Sequence, residues 1–366
     1  MRARPPLGAD GEPGVETAIS SDTGSLAAEW DQLADRTAAP PFMRPGWITA
    51  WWRAFGGGEP LVFTARRGGV LTGLLPLERR GGVLRAPANY HTPVFEPLAA
   101  DADSLRALAD RALAERPAHL DLFMLEGDDA VRGGFSAAAA QAGFGTLERV
   151  VVRTPYRRVE GDWEPVLAGR SRKVRKELRR NRRGLEAMGP VELEEIRDHA
   201  GLERAFGDFL ALESSGWKAE SGTAISSTLV LRDFYEAVTE WAADAGYLML
   251  FFLRVGERRI AADLCLDDRG RRYMLKGGFD REYSKHSPGT VLLEADMAQG
   301  YAAGLERIEL GGGSDEYKLR WAQETTSRWQ FEAFSPSIAG RARHTWRARV
   351  LPLARRVRDR RRGAES

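Results

Sequence analysis

Apolar residues recur along the chain with two periods, and the switches between them predict an ordered series of strands and helices. In the first half the pattern predicts a strand at 15–19, a helix at 25–37 and a helix at 45–55 with Pro45 in its first turn. Strands follow at 60–66, 70–78 and 83–90, then helix 104–116, strand 119–126, helix 129–142 and strand 146–153. The second half predicts strand 190–196, helices 201–214 and 229–246, and strands 247–255, 258–266 and 271–279. Helix 288–303, strand 307–311, helix 315–323 and strand 327–334 complete it. Each half therefore reads β-α-α-β-β-β-α-β-α-β. Identity between the halves is slight, so the repetition is one of pattern.

Between the halves lies 169-GRSRKVRKELRRNRRGLEAMG-189, with nine Lys or Arg and a single Glu in its first fifteen residues. The uncharged positions Leu167, Ser171, Val174, Leu178, Asn181, Leu185 and Met188 step by four and three. That spacing is one stripe of a single helix, which predicts a packed inter-domain helix with a positive outer face.

A chain of 366 residues, 43% hydrophobic, is long enough for two domains with separate cores. The expected organisation is a disordered N-terminus over 1–14, a domain over 15–160, the basic helix over 161–189, a second domain over 190–336, and a basic helix or tail over 337–366. The formal net charge of +2 conceals a segregation: residues 170–186 carry +7 and residues 341–362 carry +9, so the remainder stands at −14. A polyanionic partner would meet the two basic elements first. In 341–362, Trp346, Val350, Leu351 and Leu353 mix with ten Arg, a composition that predicts peripheral contact with an anionic membrane surface. The lone Cys265 excludes an internal disulfide and points to a reducing compartment. The N-terminus has charges but no apolar segment after them, and the longest apolar run, 247-YLMLFFL-253, is too short to span a bilayer. Together these predict a cytoplasmic protein, peripheral at the inner face of the membrane if the tail binds lipid.

Candidate chemistry concentrates in the second half. In 286-HSPGTVLLEADMAQG-300, Ser287 is placed to cap a helix, Pro288 suits its first position, and Gly289 keeps bulk away from an approaching ligand. Such a helix start presents free N–H groups to a pyrophosphate. The corresponding first-half segment, 97-PLAADADS-104, is acidic and lacks glycine, so one donor site is expected. In 311-GGGSDEYKLRW-321, Asp315, Tyr317 and Lys318 project from one turn behind three glycines. A phenol there can act as a general acid, and an ammonium can stabilise an oxyanion. Asp263 lies among apolar strand positions, where a carboxylate is costly unless paired or catalytic. Asp280 closes the next strand and is expected to pair with Lys276. The five histidines have no metal-ligand spacing, and there is no G-x-S-x-G elbow, P-loop or dinucleotide fingerprint.

The order of elements resembles two GNAT acyltransferase folds in tandem. The stretches 41-PFMRPGWITAWW-52, 74-LLPLERRGGVL-84, 213-ESSGWKAESGTAI-225, 273-YMLKGGFDREYSKHSPGTVLLEADM-297 and 311–321 resemble the CelD-type acetyltransferases. These are GNAT relatives found near polysaccharide-biosynthesis genes and related to Fem-type aminoacyltransferases. The resemblance implies an α/β fold of mixed sheets flanked by helices, with acetyl-CoA or another acyl-CoA as co-substrate and no metal. It implies an N-acyltransferase acting on a primary amine: an amino sugar, an amino acid or an envelope precursor. The GNAT pyrophosphate pattern Gln/Arg-x-x-Gly-x-Gly/Ala falls on His286, Gly289 and Val291, which depart from it at two of three positions. The implied donor-binding set is His286, Ser287, Gly289 and Thr290. The implied catalytic set is Tyr317, protonating the leaving thiolate, with Lys318, Asp315 and Asp263. The implied acceptor side is Glu213, Trp217, Lys218, Lys276 and Asp280. Two alternatives stand beside this reading: an aminoacyl-tRNA donor, as in Fem-type enzymes, and a non-catalytic scaffold in an envelope-biosynthesis complex.

Overall fold

The structure is a computed structural model that describes residues 14–350 apart from 128, 216–224, 226, 227, 314 and 315. Trp217, Lys218, Asp315 and the tail beyond Val350 therefore lie outside the described residues, as does most of the N-terminal segment 1–14. The described chain forms two units: residues 14–52, 56–151 and 327–350 make unit 1, and residues 53–55 and 152–326 make unit 2.

Unit 1 begins with strand β1 (Val15–Ser20), helix α1 (Ala27–Arg36) and helix α2 (Pro45–Phe55). Strands β2 (Glu59–Arg67), β3 (Val70–Arg80), β4 (Val83–Arg85) and β5 (Leu98–Ala99) follow, then helix α3 (Ala102–Ala114), strand β6 (His119–Leu125), helix α4 (Asp129–Gln141) and strand β7 (Gly145–Arg158). Its sheet runs β1-β2-β3-β4-β6-β13, where β13 is Glu324–Phe334, and β5 pairs with β3. The pattern assigns β13 to the end of the second half, yet it pairs antiparallel with β6, Phe334 facing His119. The helix Ile338–Thr345 completes this unit.

Unit 2 takes β7 from Val152 onward. It then has helices α5 (Trp163–Ala168) and α6 (Arg172–Glu186), strand β8 (Val191–Ile196), and helices α7 (Leu202–Ser215) and α8 (Leu229–Asp244). Strands β9 (Leu248–Val255), β10 (Arg258–Asp268) and β11 (Arg271–Phe279) follow, with a 3-10 turn over Arg281–His286. Helix α9 (Pro288–Ala302), strand β12 (Arg307–Glu309) and the short helix α10 (Glu316–Leu319) precede β13, and the C-terminal helix 338–345 of unit 1 is α11. The strand order is β7-β12-β11-β10-β9-β8. Both units are mixed sheets flanked by helices, the α/β class that the periodic pattern predicts.

The core of unit 2 follows from the period-two pattern of its central strands. Met249, Phe251 and Leu253 of β9 and Ala261 and Cys265 of β10 meet Val291 and Leu292 of α9 and Leu185 of α6. A second cluster joins Trp163, Leu178, Leu293, Met297, Tyr301 and Trp321. Each such apolar side chain taken from water contributes about 1.5–3 kcal/mol.

The basic segment is two helices, not one. Ser171 caps α6 by accepting the Val174 N–H at 3.3 Å, so Leu167 belongs to α5. Leu178, Asn181 and Leu185 are buried, but Met188 falls past the helix end and is exposed. The stripe therefore holds over the helix proper and fails at both ends, where the N-cap and the terminus interrupt the period.

Candidate active site

Two parallel strands of unit 2 part company at the centre of its sheet. β12 pairs with β11 only through Arg271–Tyr273, and Met274–Phe279 of β11 run on beyond it. β12 meanwhile stays with β7, since Leu310 donates its N–H to Pro155 at 2.9 Å. At the fork, Gly311 has φ +76°, and a Cβ there would lie 2.6 Å from the Met274 carbonyl oxygen. Only glycine allows this turn.

The free half of β11 bears candidate residues on both faces, because successive side chains of a strand alternate. Asp263 of β10 stands opposite Gly277, and a Cβ on Gly277 would overlap its carboxylate. Asp263 shares its face with Ala261 and Cys265, the face that α9 covers. On the opposite face Gly278 lets the α7 backbone at Glu213 sit against the strand. Glu213, only 1% exposed, accepts the Ile225 N–H at 2.7 Å. Lys276 on this face stands 5.9 Å from the centre of the Tyr235 ring on α8. Burial, reinforced by the Glu213 charge, pushes the Tyr235 phenol far above its ordinary value, so it stays neutral. The structure thus groups Glu213 with Lys276 and adds Tyr235, which the sequence patterns do not single out. Asp263 belongs with α9.

Asp280 does not pair with Lys276. It accepts the Glu282 N–H at 3.0 Å and holds Arg258, whose Nη2 is 2.6 Å away. A residue four places along a strand points the same way but lies too far off, whereas Arg258 starts the adjacent strand.

The start of α9 departs from the expected cap. Ser287 has left-handed geometry, φ 44° and ψ 57°, and makes no side-chain bond to the helix. Ser171, Thr228 and Ser337, by contrast, each cap their helices through the hydroxyl. Asp101 likewise caps α3 in unit 1, accepting the Ser104 N–H at 2.7 Å. Thr290 donates back to the Ser287 carbonyl at 2.9 Å, while the Gly289 N–H occupies the first turn, where no intrahelical acceptor exists. A phosphate oxygen fits this uncapped end.

Helix α6 runs beside both ends of the fork. A Cβ on Gly184 would overlap Nδ1 and Cε1 of His286. Nearer its other end Glu177 lies 4.0 Å from Arg320, which follows α10 directly. Tyr317 on α10 is 49% exposed, and Lys318 donates to the Gly312 carbonyl at 2.9 Å. Gly184, Tyr235 and Arg258 carry no motif of their own. The adjacent glycines 277 and 278 inside a strand are the signal that points to close backbone approach there.

Residues 172–319 match the family described as Acetyltransferase (GNAT) domain. Over this segment the chain is similar to GNAT-type acetyltransferase domains. The match spans α6 through α10, which are the elements that bound the fork. No curated protein matches the chain. The crystal structure of FemX is similar in fold, with a TM-score of 0.56, 12% identity, and coverage of 87% of this chain and 96% of that one. A conserved protein of unknown function from Bacteroides thetaiotaomicron gives a TM-score of 0.54, 13% identity, and coverage of 87% and 100%. L-PGS from Bacillus licheniformis gives 0.50, 11% identity, and coverage of 80% and 92%.

Outside residues 172–319, tertiary structure gathers His119, Asp121 and Glu332 in unit 1 within 4.8 Å of one another. Glu332 accepts from Arg347 and lies 3.1 Å from His119 and 3.7 Å from Arg149. Arginine therefore already meets its charge. Among the described residues no helix is long and apolar enough to cross a membrane.

Proposed function

We propose that the chain is an N-acyltransferase that moves an acetyl or other acyl group from coenzyme A to a primary amine, on an amino sugar, an amino acid or an envelope precursor. The observation that carries this reading is the fork between β11 and β12. Past Tyr273 the β12-side edge of β11 faces no strand among the described residues, so an extended thioester arm fits along it, with its pyrophosphate at the uncapped start of α9. His286, Ser287, Gly289 and Thr290 line that end, which supports them as the donor-binding set.

In this reading the acceptor amine attacks the thioester carbonyl, forming the C–N bond as the C–S bond breaks. The departing thiolate takes a proton from Tyr317, and the amine loses one to a carboxylate or through water. Asp263 and Glu213 are the two carboxylates set against the free half of β11, on opposite faces. Lys318, with Asp315 beside it in sequence, serves the oxyanion at the mouth. Trp217, Lys218, Lys276 and Asp280 are assigned to the acceptor side.

A second donor, aminoacyl-tRNA, is favoured by one observation, the exposed basic face of α6. The two donors separate in a thermal-shift titration. Coenzyme A at about 100 times its dissociation constant should stabilise the protein by roughly 2.7 kcal/mol. No shift with coenzyme A or acetyl-CoA sinks the first reading. Salt-sensitive tRNA binding without a coenzyme response would establish the second.

A further inference from the structure

Helix α6 carries a line of cations outside any ion pair among the described residues, with Lys173 alone feeling a nearby carboxylate, that of Glu316. Arg172, Lys173, Lys176, Arg179, Arg180 and Arg183 are all exposed, and none has an ion-pair partner among the described residues. Elsewhere in the same unit, Arg254, Arg258, Arg259 and Arg272 each rest on at least one carboxylate. These positions step by one, three, three, one and three, so they share one face over twelve residues, roughly 17 Å at the helical rise. The apolar stripe of the helix is spent on the core, through Leu178 and Leu185. The cations therefore stand outward on a rigid support.

Large apolar side chains are exposed beside this line. Met188, just past the C-terminus of α6, is 55% exposed. Leu319 is 45% exposed and precedes Arg320, which reaches Glu177 of α6. Aliphatic side chains gain nothing against a phosphodiester backbone and cannot stack as a base requires. At the headgroup boundary of a bilayer they bury apolar area while the cations meet lipid phosphates. From these two independent features we infer that the outer face of α6, flanked by Met188 and Leu319, docks on a bilayer surface rich in anionic phospholipid. The helix adsorbs and does not insert, because its own apolar side is already covered. This surface is distinct in sequence from the 341–362 segment, and the inference rests on the coenzyme A reading, because a tRNA donor would take the same face.

Vesicle co-sedimentation of the full chain tests it. Wild-type protein should sediment with phosphatidylcholine–phosphatidylglycerol vesicles, should not do so with pure phosphatidylcholine, and should be released by added salt. The triple variant Lys173→Gln, Lys176→Gln, Arg180→Gln should lose affinity about 100-fold, since each surface cation contributes close to a factor of ten or less. Its circular dichroism and Tm should be unchanged, because Gln, Lys and Arg have similar helix propensities. Arg341→Gln with Arg343→Gln should bind vesicles as wild type does. The inference is overturned by wild-type protein that ignores anionic vesicles, or by binding that survives the triple substitution. It is also overturned if Arg341→Gln with Arg343→Gln abolishes binding, or if double-stranded RNA binds at salt concentrations where anionic vesicles do not.

Discussion

The imidazole of His286 rests on Gly184, with Nδ1 and Cε1 occupying the space a Cβ would take. A glycine thirteen residues into a run of arginines and lysines thus sets the position of a side chain at the start of α9, more than a hundred residues later. Helix α6 is, through this contact, part of the wall of the candidate donor site.

Gly184→Ala should push the imidazole aside without altering it. Coenzyme A affinity is expected to fall about tenfold, or about 1.4 kcal/mol. Stability should change little, because the alanine gains up to about 1 kcal/mol of helix propensity while displacing a movable side chain. Calorimetric titration reads the first effect and thermal melting the second. An unchanged dissociation constant would remove His286 from the donor site.

Two glycines should behave oppositely. A Cβ on Gly278 meets backbone atoms of Leu212 and Glu213, which cannot rotate away, whereas one on Gly207 in α7 meets nothing within 4 Å. Gly278→Ala should cost about 2–3 kcal/mol in urea unfolding. Gly207→Ala should stabilise by up to about 1 kcal/mol. A neutral Gly278→Ala would mean that the α7–β11 spacing is slack.

Asp296 governs a pH response in unit 2. It is fully buried against Arg272, which also bonds Asp267 at 2.7 and 2.8 Å. Burial pushes the Asp296 carboxyl up to about 6, outweighing the attraction of Arg272. Burial opposes the charge on Arg272 as well, but its bonds to the two aspartates prevail and hold it ionised more firmly than usual. The folded protein therefore binds the Asp296 proton more tightly than the unfolded chain does. That stabilisation is complete below the ordinary carboxyl value and is lost as pH rises through about 6, a swing of roughly 3 kcal/mol. Asp296→Asn should flatten the pH 4–7 slope of unfolding free energy by up to about one proton. An identical slope in the variant would assign the titration to another group.

Tyr317→Phe removes the proposed proton donor and leaves the ring. A fall in kcat of about 100-fold with unchanged donor KM is expected. Poor thiolate leaving would show as a larger loss for acyl donors than for activated thioesters of low thiol pKa. Wild-type kcat in the variant would transfer the acid role elsewhere.

Much of the fold was legible in the order of periodic segments, because burying a strand or helix face requires the same spacing wherever it happens. The strands 247–255, 258–266 and 271–279 are found at β9, β10 and β11 to within two residues at each end. Helices α3, α7, α8 and α9 are found where the 3.6 period places them. Strand 83–90 shortens to Val83–Arg85, since Ala86 onward bends away into loop contacts that no local pattern encodes. The Ser287 cap failed for a similar reason: residue type favours the hydroxyl bond, but the preceding 3-10 turn forces a left-handed backbone that carries it away.

The amino-acid sequence by itself determined the repeated order of elements, the amphipathic stripe of α6, the glycine-rich turn at 311–313 and the concentration of candidate chemistry in the second half. These depend on local spacing and on which residues can occupy a given backbone. Tertiary structure alone decided that β12 leaves β11 after Tyr273, that Arg258 and not Lys276 takes Asp280, and that Gly184 seats His286. It also put Asp263 and Glu213 on opposite faces of one strand pair. Such facts rest on which distant segments pack together, and a contact between residues a hundred positions apart leaves no period to read.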